Sequence, residues 1–443
     1  MKRTLIMAKA IITMDDEYHV YENGYLVVED ERIVLIGSGN APNQHYDEVK
    51  NLPNHLLMPG LINAHTHTPM VLTRGMCEGV SLFTMDGFIN TLRRYEADAD
   101  ADMAGASVGV SCAEMIRTGT TCFVDQYFYA DRIFEAVDAS SLRAVIAYGI
   151  VELGEEKARQ REVSLATDFL DQCRAHKRIT GWIGPHAFFV DNSEELIMEE
   201  MRLAYKYEAG FHIHFATSNE ENDYCRKTYG CDAIKKMEAL GIMDIPILAA
   251  HSITVSDEDI RVMSKHPFYP VMAPSAAMRS GFAAAPVKQM RQAGVKVLLG
   301  TDNVCNSNSY DMFREMATAG KLVIHTARDV NAISPREVIA MATRDAAQAI
   351  GQGDRIGSLE PGKFADVIAL DLCDIGWVPM GAQDWYTQVV YSVSGHSVTH
   401  SMVGGKWLMN NRVLCTVDYS KECARLEEAN LELRRRLAKR AGR

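Results

Sequence analysis

Short apolar runs punctuated by Asp, Glu and Gly open the chain: Leu5-Ile-Met, Ala10-Ile-Ile-Thr-Met, Gly24-Tyr-Leu-Val-Val and Arg32-Ile-Val-Leu-Ile-Gly, all before His55. Such runs predict β-strands, too few and too short for an independent sandwich. A matching set returns in Ala365-Asp-Val-Ile-Ala-Leu, Val398-Thr-His-Ser-Met-Val-Gly-Gly-Lys and Trp407-Leu-Met. The simplest arrangement pairs the two ends into one small β-sandwich domain. Between them the pattern alternates strand with helix. Strands are predicted over Leu56 to Ala64, Thr120 to Val124, Ala144 to Tyr148, Ile179 to Gly184, Gly210 to Ile213, Pro246 to Ala250, Tyr269 to Ala273 and Val295 to Thr301. Eight such runs in a βα alternation predict an α/β fold, a closed (β/α)8 TIM-type barrel. The expected division is 1–55 and 361–416 for the sandwich, 56–360 for the barrel and 417–443 for a C-terminal helix. Helix starts are written at Ser334-Pro335-Arg-Glu337, a capping box with proline at the first position, and at Ser256 with Asp259 three residues on. In the tail, Leu426, Leu431, Leu433 and Leu437 lie among charges, the pattern of a surface helix with a solvated face or, alternatively, a subunit contact.

Composition narrows the partners. A chain of 443 residues, 47% hydrophobic and 23% charged, has the make-up of a globular protein. A net charge of -12 argues against nucleic acid or an anionic membrane, since a phosphate-rich partner needs a basic face. No run is long and apolar enough to span a bilayer, and the start reads as no signal peptide. The ten cysteines contain no Cys-x-x-Cys, the usage of reduced thiols rather than of a disulfide framework. A cytoplasmic protein is expected.

The candidate chemistry sits at strand ends. His65 and His67 close the first barrel strand, and side chains two apart on a strand point the same way, so both imidazoles can reach one ion. His214 ends Phe211-His-Ile-His, His251 follows Ile247-Leu-Ala-Ala, and Asp302 follows Val297-Leu-Leu-Gly-Thr. In a βα barrel these ends converge on one rim. Imidazoles with a carboxylate suit one divalent metal ion, zinc or else iron(II), with a position left for water. His186, after Gly184-Pro185, lies on the same rim. His212 faces the other way and is expected to be a core residue or a support for the ligands.

With these pieces in place, the chain resembles the amidohydrolase superfamily, in the branch of S-adenosylhomocysteine/methylthioadenosine deaminases, guanine-type deaminases and triazine hydrolases. The resemblance rests on Met58-Pro-Gly-Leu-Ile-Asn-Ala-His-Thr-His, Arg117-Thr-Gly-Thr-Thr, Gly184-Pro-His-Ala, Ala249-Ala-His251, Gly300-Thr-Asp302, Ile356-Gly-Ser-Leu-Glu-Pro-Gly-Lys-Phe-Ala-Asp-Val and Val403-Gly-Gly-Lys. It implies a single catalytic metal on His65, His67, His214 and Asp302, with His251 polarising the bound water and Asp302 taking its proton. The fourth strand ends without the lysine that bridges two metals in some relatives. His186 matches a substrate contact.

Three departures stand out. Thr217 occupies the place of a family glutamate that protonates the ring nitrogen, Met272-Ala-Pro-Ser-Ala-Ala277 replaces a His-Cys-Pro-Thr-Ser-Asn stretch, and Met85 stands where adenosine-type members carry tryptophan. Glu220 and Glu221 follow closely and read as an ordinary acidic helix start. Further substrate contacts are expected from Arg74, Met85 and Arg279. The function expected is hydrolysis of a non-peptide C–N bond in a cyclic amidine or N-heterocycle by a metal-activated water, with a bare or alkyl-substituted ring favoured over a nucleoside. The alternatives are a hydrolytic dehalogenase or amide/urea hydrolase on an azine-like substrate, and a catalytically silent metal-binding barrel. Partners are a small heterocyclic substrate and further copies of the chain, as a homodimer or larger homo-oligomer.

Overall fold

A computed structural model describes residues 1–152, 154–380 and 384–441; the last two residues of the expected tail helix lie outside it. Eight parallel strands follow one another in sequence order: Leu61–Thr66, Thr120–Tyr127, Arg143–Ile150, Ile179–Pro185, Phe211–Phe215, Ile247–His251, Phe268–Met272 and Leu298–Leu299. The sheet curls into a nearly closed TIM-type barrel. Its first and last strands meet through a bridge between Thr66 and Asp302, the Asp302 amide donating to the His65 carbonyl at 2.9 Å. Asn63 strengthens that seam by donating to Thr301 Oγ1 at 2.8 Å and accepting from the Thr301 amide at 3.0 Å. Gly300 is required there, because a Cβ on it would sit 2.7 Å from the His65 backbone nitrogen. The strands are buried along nearly their whole length because barrel side chains fill one face and helices cover the other.

The terminal strands form a second, mixed sheet of eight: Arg3–Ile12, Val20–Glu29, Arg32–Ser38 and Glu48–Pro59 from one end, Val367–Asp371, Val398–Val403, Lys406–Asn410 and Val413–Leu414 from the other. Its period-two pattern serves two cores. Ile11, Leu57, Val367 and Ala369 pack in a core of its own, while Ala10, Ile12, Leu56, Met58, Ile368 and Leu370 face the barrel and join the main core. The run from Leu56 to Ala64, expected as one strand, is two. Pro59 ends a strand of the terminal sheet and Leu61 begins one of the barrel. Gly60 makes the junction because a Cβ there would collide with the Thr121 side chain.

One buried ion pair fastens the two sheets together. Arg143, in the third barrel strand, donates to Asp366 through Nε at 2.9 Å and Nη2 at 3.1 Å, with both side chains nearly inaccessible. Both expected capping boxes are present, at Ser256 with Asp259 and at Ser334 with Glu337. The tail helix, Tyr419–Ala441, lays Leu426, Leu433 and Leu437 with Ala429 on Leu72, Met103 and Ala106, which leaves Leu431 half exposed. Among the described residues, no helix is long and apolar enough to cross a membrane.

Candidate metal centre and cavity

The strand-end residues singled out by spacing do meet at one end of the barrel. The Nε2 atoms of His65 and His67 lie 3.3 and 3.4 Å from Asp302 Oδ1, and His67 Nε2 lies 3.2 Å from His214 Nε2. Single ligand atoms of His65, His67 and Asp302, and of His65, His214 and His251, lie within 4.8 Å of one another. Backbone geometry aims them. His251 and Asp302 hold φ of 76° and 60°, and Ala216 and Ser252, beside two of the strand ends, hold 47° and 48°. Non-glycine residues take such values at a cost, so a cluster of them at strand ends marks positions fixed by their surroundings.

Three of the imidazoles are oriented by their other nitrogen. His67 Nδ1 donates to the Gln126 carbonyl at 2.5 Å and His214 Nδ1 to the His186 carbonyl at 2.8 Å, which leaves both Nε2 lone pairs facing inward. His65 Nδ1 pairs with His212 Nε2 at 2.8 Å. His212 is thus the support for His65 that its opposite-facing position suggested. Asp125 holds the turn after the first strand, accepting from Thr66 Oγ1 at 2.7 Å, the Thr68 amide at 2.8 Å and Thr68 Oγ1 at 2.6 Å. The Tyr310 hydroxyl donates to the His67 carbonyl at 3.0 Å.

Electrostatics keep most of this cluster in a metal-ready state; His67 is the exception, for burial would lower it but contact with Asp302 outweighs burial and holds it above the usual imidazole range. Burial, reinforced by the neighbouring histidines, holds His214 well below the usual imidazole range, and burial pushes His251 down to about 3. Burial alone would raise Asp302, but the close approach of His65 and His67, with the charge of His251, outweighs it and holds the carboxyl well below its usual range. Neutral imidazoles and an ionised carboxylate are the donor states that a divalent ion takes. His65 Nε2, His251 Nδ1 and Asp302 Oδ2 are buried with no hydrogen-bond partner, a costly condition for polar atoms. A cation between them would relieve it, and would equally relieve two inward lone pairs 3.2 Å apart. The residues fit a metal ion.

The cluster forms one end of a cavity of about 540 Å³, a volume suited to a small organic ligand. His186 and Met85 line it as expected positions, and Thr217 does too. His186 is braced by Asp191, Nδ1 to Oδ2 2.7 Å, and stacks on Phe88 with ring centroids 5.2 Å apart. Arg74 and Arg279 need correcting, for neither lines the cavity. Arg74 is drawn to Glu114 and Arg279 to Glu78, and a guanidinium with a carboxylate in reach outside the cavity is held there. Several lining residues were not foreseen: Phe83, whose ring centroid lies 4.3 Å from that of His251, Arg93, Glu96, Asp191 and Glu221.

Glu221 alters the reading of the acidic pair. Both glutamates do lie in the first turn of the helix Asn219–Tyr229, and Glu220 also accepts from the Met85 amide at 3.0 Å. Glu221, however, is buried. One carboxylate oxygen accepts from the Ala216 amide at 2.6 Å and the other has no partner, and burial pushes the group up to about 7. Its spacing of four from Thr217 was the available signal, because positions four apart at a helix start share a face.

A family model of that name, Amidohydrolase family, matches residues 56–408. The chain belongs to the amidohydrolase family. Among its amidohydrolase relatives, it is 32% identical to the 5-methylthioadenosine/S-adenosylhomocysteine deaminase of Syntrophomonas wolfei subsp. wolfei, over 97% of this chain and 99% of the relative. It is 33% identical to the 5'-deoxyadenosine deaminase of Methanosarcina acetivorans, over 98% and 99%. Among solved structures, an adenosine deaminase from Xanthomonas campestris with bound zinc superposes with a TM-score of 0.92 at 26% identity, covering 97% of this chain and 98% of the other. A triazine hydrolase from Arthrobacter aurescens shares the amidohydrolase fold at TM-score 0.88 and 21% identity, covering 97% and 100%.

Proposed function

We propose that this amidohydrolase is a zinc-dependent deaminase of adenosine-type nucleosides, replacing the exocyclic amino group of the purine by oxygen and releasing ammonia. The observation that carries the reading is the convergence of His65, His67, His214 and Asp302 at the end of a cavity, with donor atoms of His65 and Asp302 that lack partners. Hydrolysis by a deaminase-type enzyme agrees with the family and with the full-length relatives. The same relatives favour a nucleoside over the bare ring expected from Met85 and the altered seventh strand.

His65, His67, His214 and Asp302 would hold the ion. A divalent metal bound there lowers the pKa of its water toward neutrality and so supplies a nucleophile. Asp302 Oδ2, ionised and without a hydrogen-bond partner, is placed to accept a proton. His251, neutral and in tilted ring contact with Phe83, presents a ring nitrogen to the same space. His186, held by Asp191, orients the substrate, and the apolar walls exclude bulk water. Glu221 is the acid on the wall that Thr217 shares. A second reading, displacement of a leaving group that needs no ring protonation, follows from Thr217 alone and requires Glu221 to be silent.

We further propose a cytoplasmic enzyme, on the ten free cysteines, acting as a homodimer or larger homo-oligomer. The test is release of ammonia from adenosine, 5'-methylthioadenosine and 5'-deoxyadenosine by protein loaded with one equivalent of zinc. Halide release from chlorinated azines without ammonia from any nucleoside would replace this reading with the second.

A further inference from the structure

The relatives named for their substrates differ in what those substrates carry at the 5' carbon: a hydrogen, a methylthio group, or the zwitterionic homocysteinyl chain of S-adenosylhomocysteine. The cavity bears on that difference. Part of its wall is built from Met85, Phe88, Ile89 and Leu92, with Val151 and Val190. These are aliphatic and aromatic surfaces with no donor for a carboxylate.

Among the described lining residues Arg93 is the one permanent cation, and it is already engaged. Its guanidinium lies 3.1 Å from Glu96 and 3.7 Å from Asp191, with its centre 4.9 Å and 5.3 Å from the ring centroids of Phe88 and Phe128. The two arginines nearest in sequence logic, Arg74 and Arg279, are tied to Glu114 and Glu78 outside the cavity. Against this single cation the cavity presents, outside the metal cluster and the buried Glu221, the carboxyl groups of Glu96, Asp191 and Glu220. A carboxylate entering from solvent would lose water, meet like charge and have to strip Glu96 from Arg93 to find a partner. Desolvating an anion without a partner is costly, and like-charge juxtaposition in a confined site adds to that cost.

We infer that the site takes nucleosides whose 5' substituent is small and carries no carboxylate, such as methylthio or hydrogen, and rejects the homocysteinyl chain. This rests on the proposed nucleoside deamination and names the substrate class within it. The excess of carboxyl groups over cations in the lining predicts, in addition, that an amine on the substituent is tolerated where an acid is not.

Selectivity is read in two ways on the zinc-loaded protein. The first is kcat/KM for 5'-methylthioadenosine, 5'-deoxyadenosine and S-adenosylhomocysteine; the second is equilibrium binding of the same three by calorimetry. The expected result is methylthio and deoxy substrates of comparable efficiency, with S-adenosylhomocysteine about 100-fold poorer, the loss lying mainly in KM and in affinity. Ile89→Arg, which puts a free cation on the apolar wall, should raise the ratio of S-adenosylhomocysteine to 5'-methylthioadenosine efficiency about tenfold. Equal efficiency and affinity for the homocysteinyl and methylthio compounds in the unmodified protein would overturn the inference, as would an Ile89→Arg protein that folds and binds 5'-methylthioadenosine with no change in the ratio. If no nucleoside releases ammonia, the proposed deamination fails, and the binding ratios still decide whether the cavity discriminates against a carboxylate.

Discussion

Glu221→Gln should make the protein less sensitive to alkaline pH, and the size of the effect follows from where the carboxyl sits. Burial pushes Glu221 from the ordinary 4.5 up to about 7, opposed by the Ala216 amide and assisted by the charge of Asp191. The folded protein therefore keeps a proton that the unfolded chain gives up. Stability from this group is fully present below about pH 4.5 and is lost as pH rises through 7, because over that window the native state binds more protons than the unfolded one. Displacement of a carboxyl over that range corresponds to about 3 kcal/mol. Glutamine preserves an oxygen to accept from the Ala216 amide and carries no proton to lose, so the variant should lack this penalty. At roughly 2.1 cal/mol/K of unfolding entropy per residue, a chain of 443 residues converts 3 kcal/mol into a Tm difference of about 3 °C. The assay is the Tm of wild type and variant, each saturated with zinc, at pH 5.5 and pH 8.5. Part of the loss, between pH 4.5 and 5.5, precedes the first condition, so about 2 kcal/mol remains and the variant's Tm should fall by about 2 °C less between those two conditions. Other buried acids that burial raises, Glu315 among them, titrate in both proteins and cancel in the comparison. Identical pH dependence in the two proteins would refute a protonated, buried Glu221, and with it the reading of this residue as the acid of the cavity wall.

Replacing His65 and His67 together by alanine should strip the metal, and zinc measured by elemental analysis at full occupancy in that double variant would remove these two residues from the site. In Thr217→Glu, kcat/KM for the nucleoside should change less than tenfold if Glu221 already supplies the proton, whereas a rise within the 10²- to 10⁴-fold span typical of a positioned acid would show that Glu221 does not. Breaking the buried pair with Arg143→Leu should destabilise the protein by about 3–5 kcal/mol, since it leaves Asp366 charged and unpaired, and denaturation that is unchanged would show the pair to be hydrated. Chelation of the metal should lower Tm through loss of a ligand that binds only the folded state, an effect that re-addition of zinc must reverse.

Strand ends carried the legible part of this molecule. A β-strand fixes direction every second residue, and a parallel barrel brings all its C-terminal ends to one rim, so His65, His67, His214, His251 and Asp302 could be placed together from spacing alone. Helix starts were equally local: Ser256 with Asp259 and Ser334 with Glu337 needed only their own four residues. The junction at Gly60 was hidden because one apolar run can belong to two sheets without changing character, and only the packing of Thr121 against residue 60 divides it. Loop arginines failed for a related reason. Whether Arg74 or Arg279 enters the cavity depends on Glu114 and Glu78, partners 40 and 201 positions away, and no periodicity in the chain reports such a pairing.

The position of Glu221 joins these two kinds of information. Its identity as a first-turn acid is local, and the helix macrodipole accounts for a glutamate there without any function. Yet a carboxyl placed only to complement a helix start would sit in water with an ordinary affinity for protons, as exposed first-turn acids do. What separates Glu221 from Glu220 is that the chain folds its side chain under the Ala216 turn, at the end of the strand that also delivers His214. A site with threonine at 217 and a buried glutamate at 221 carries an acid on the same wall. Departure from a family motif at one residue is thus weak evidence against the chemistry of the family until the neighbours that share its face have been placed.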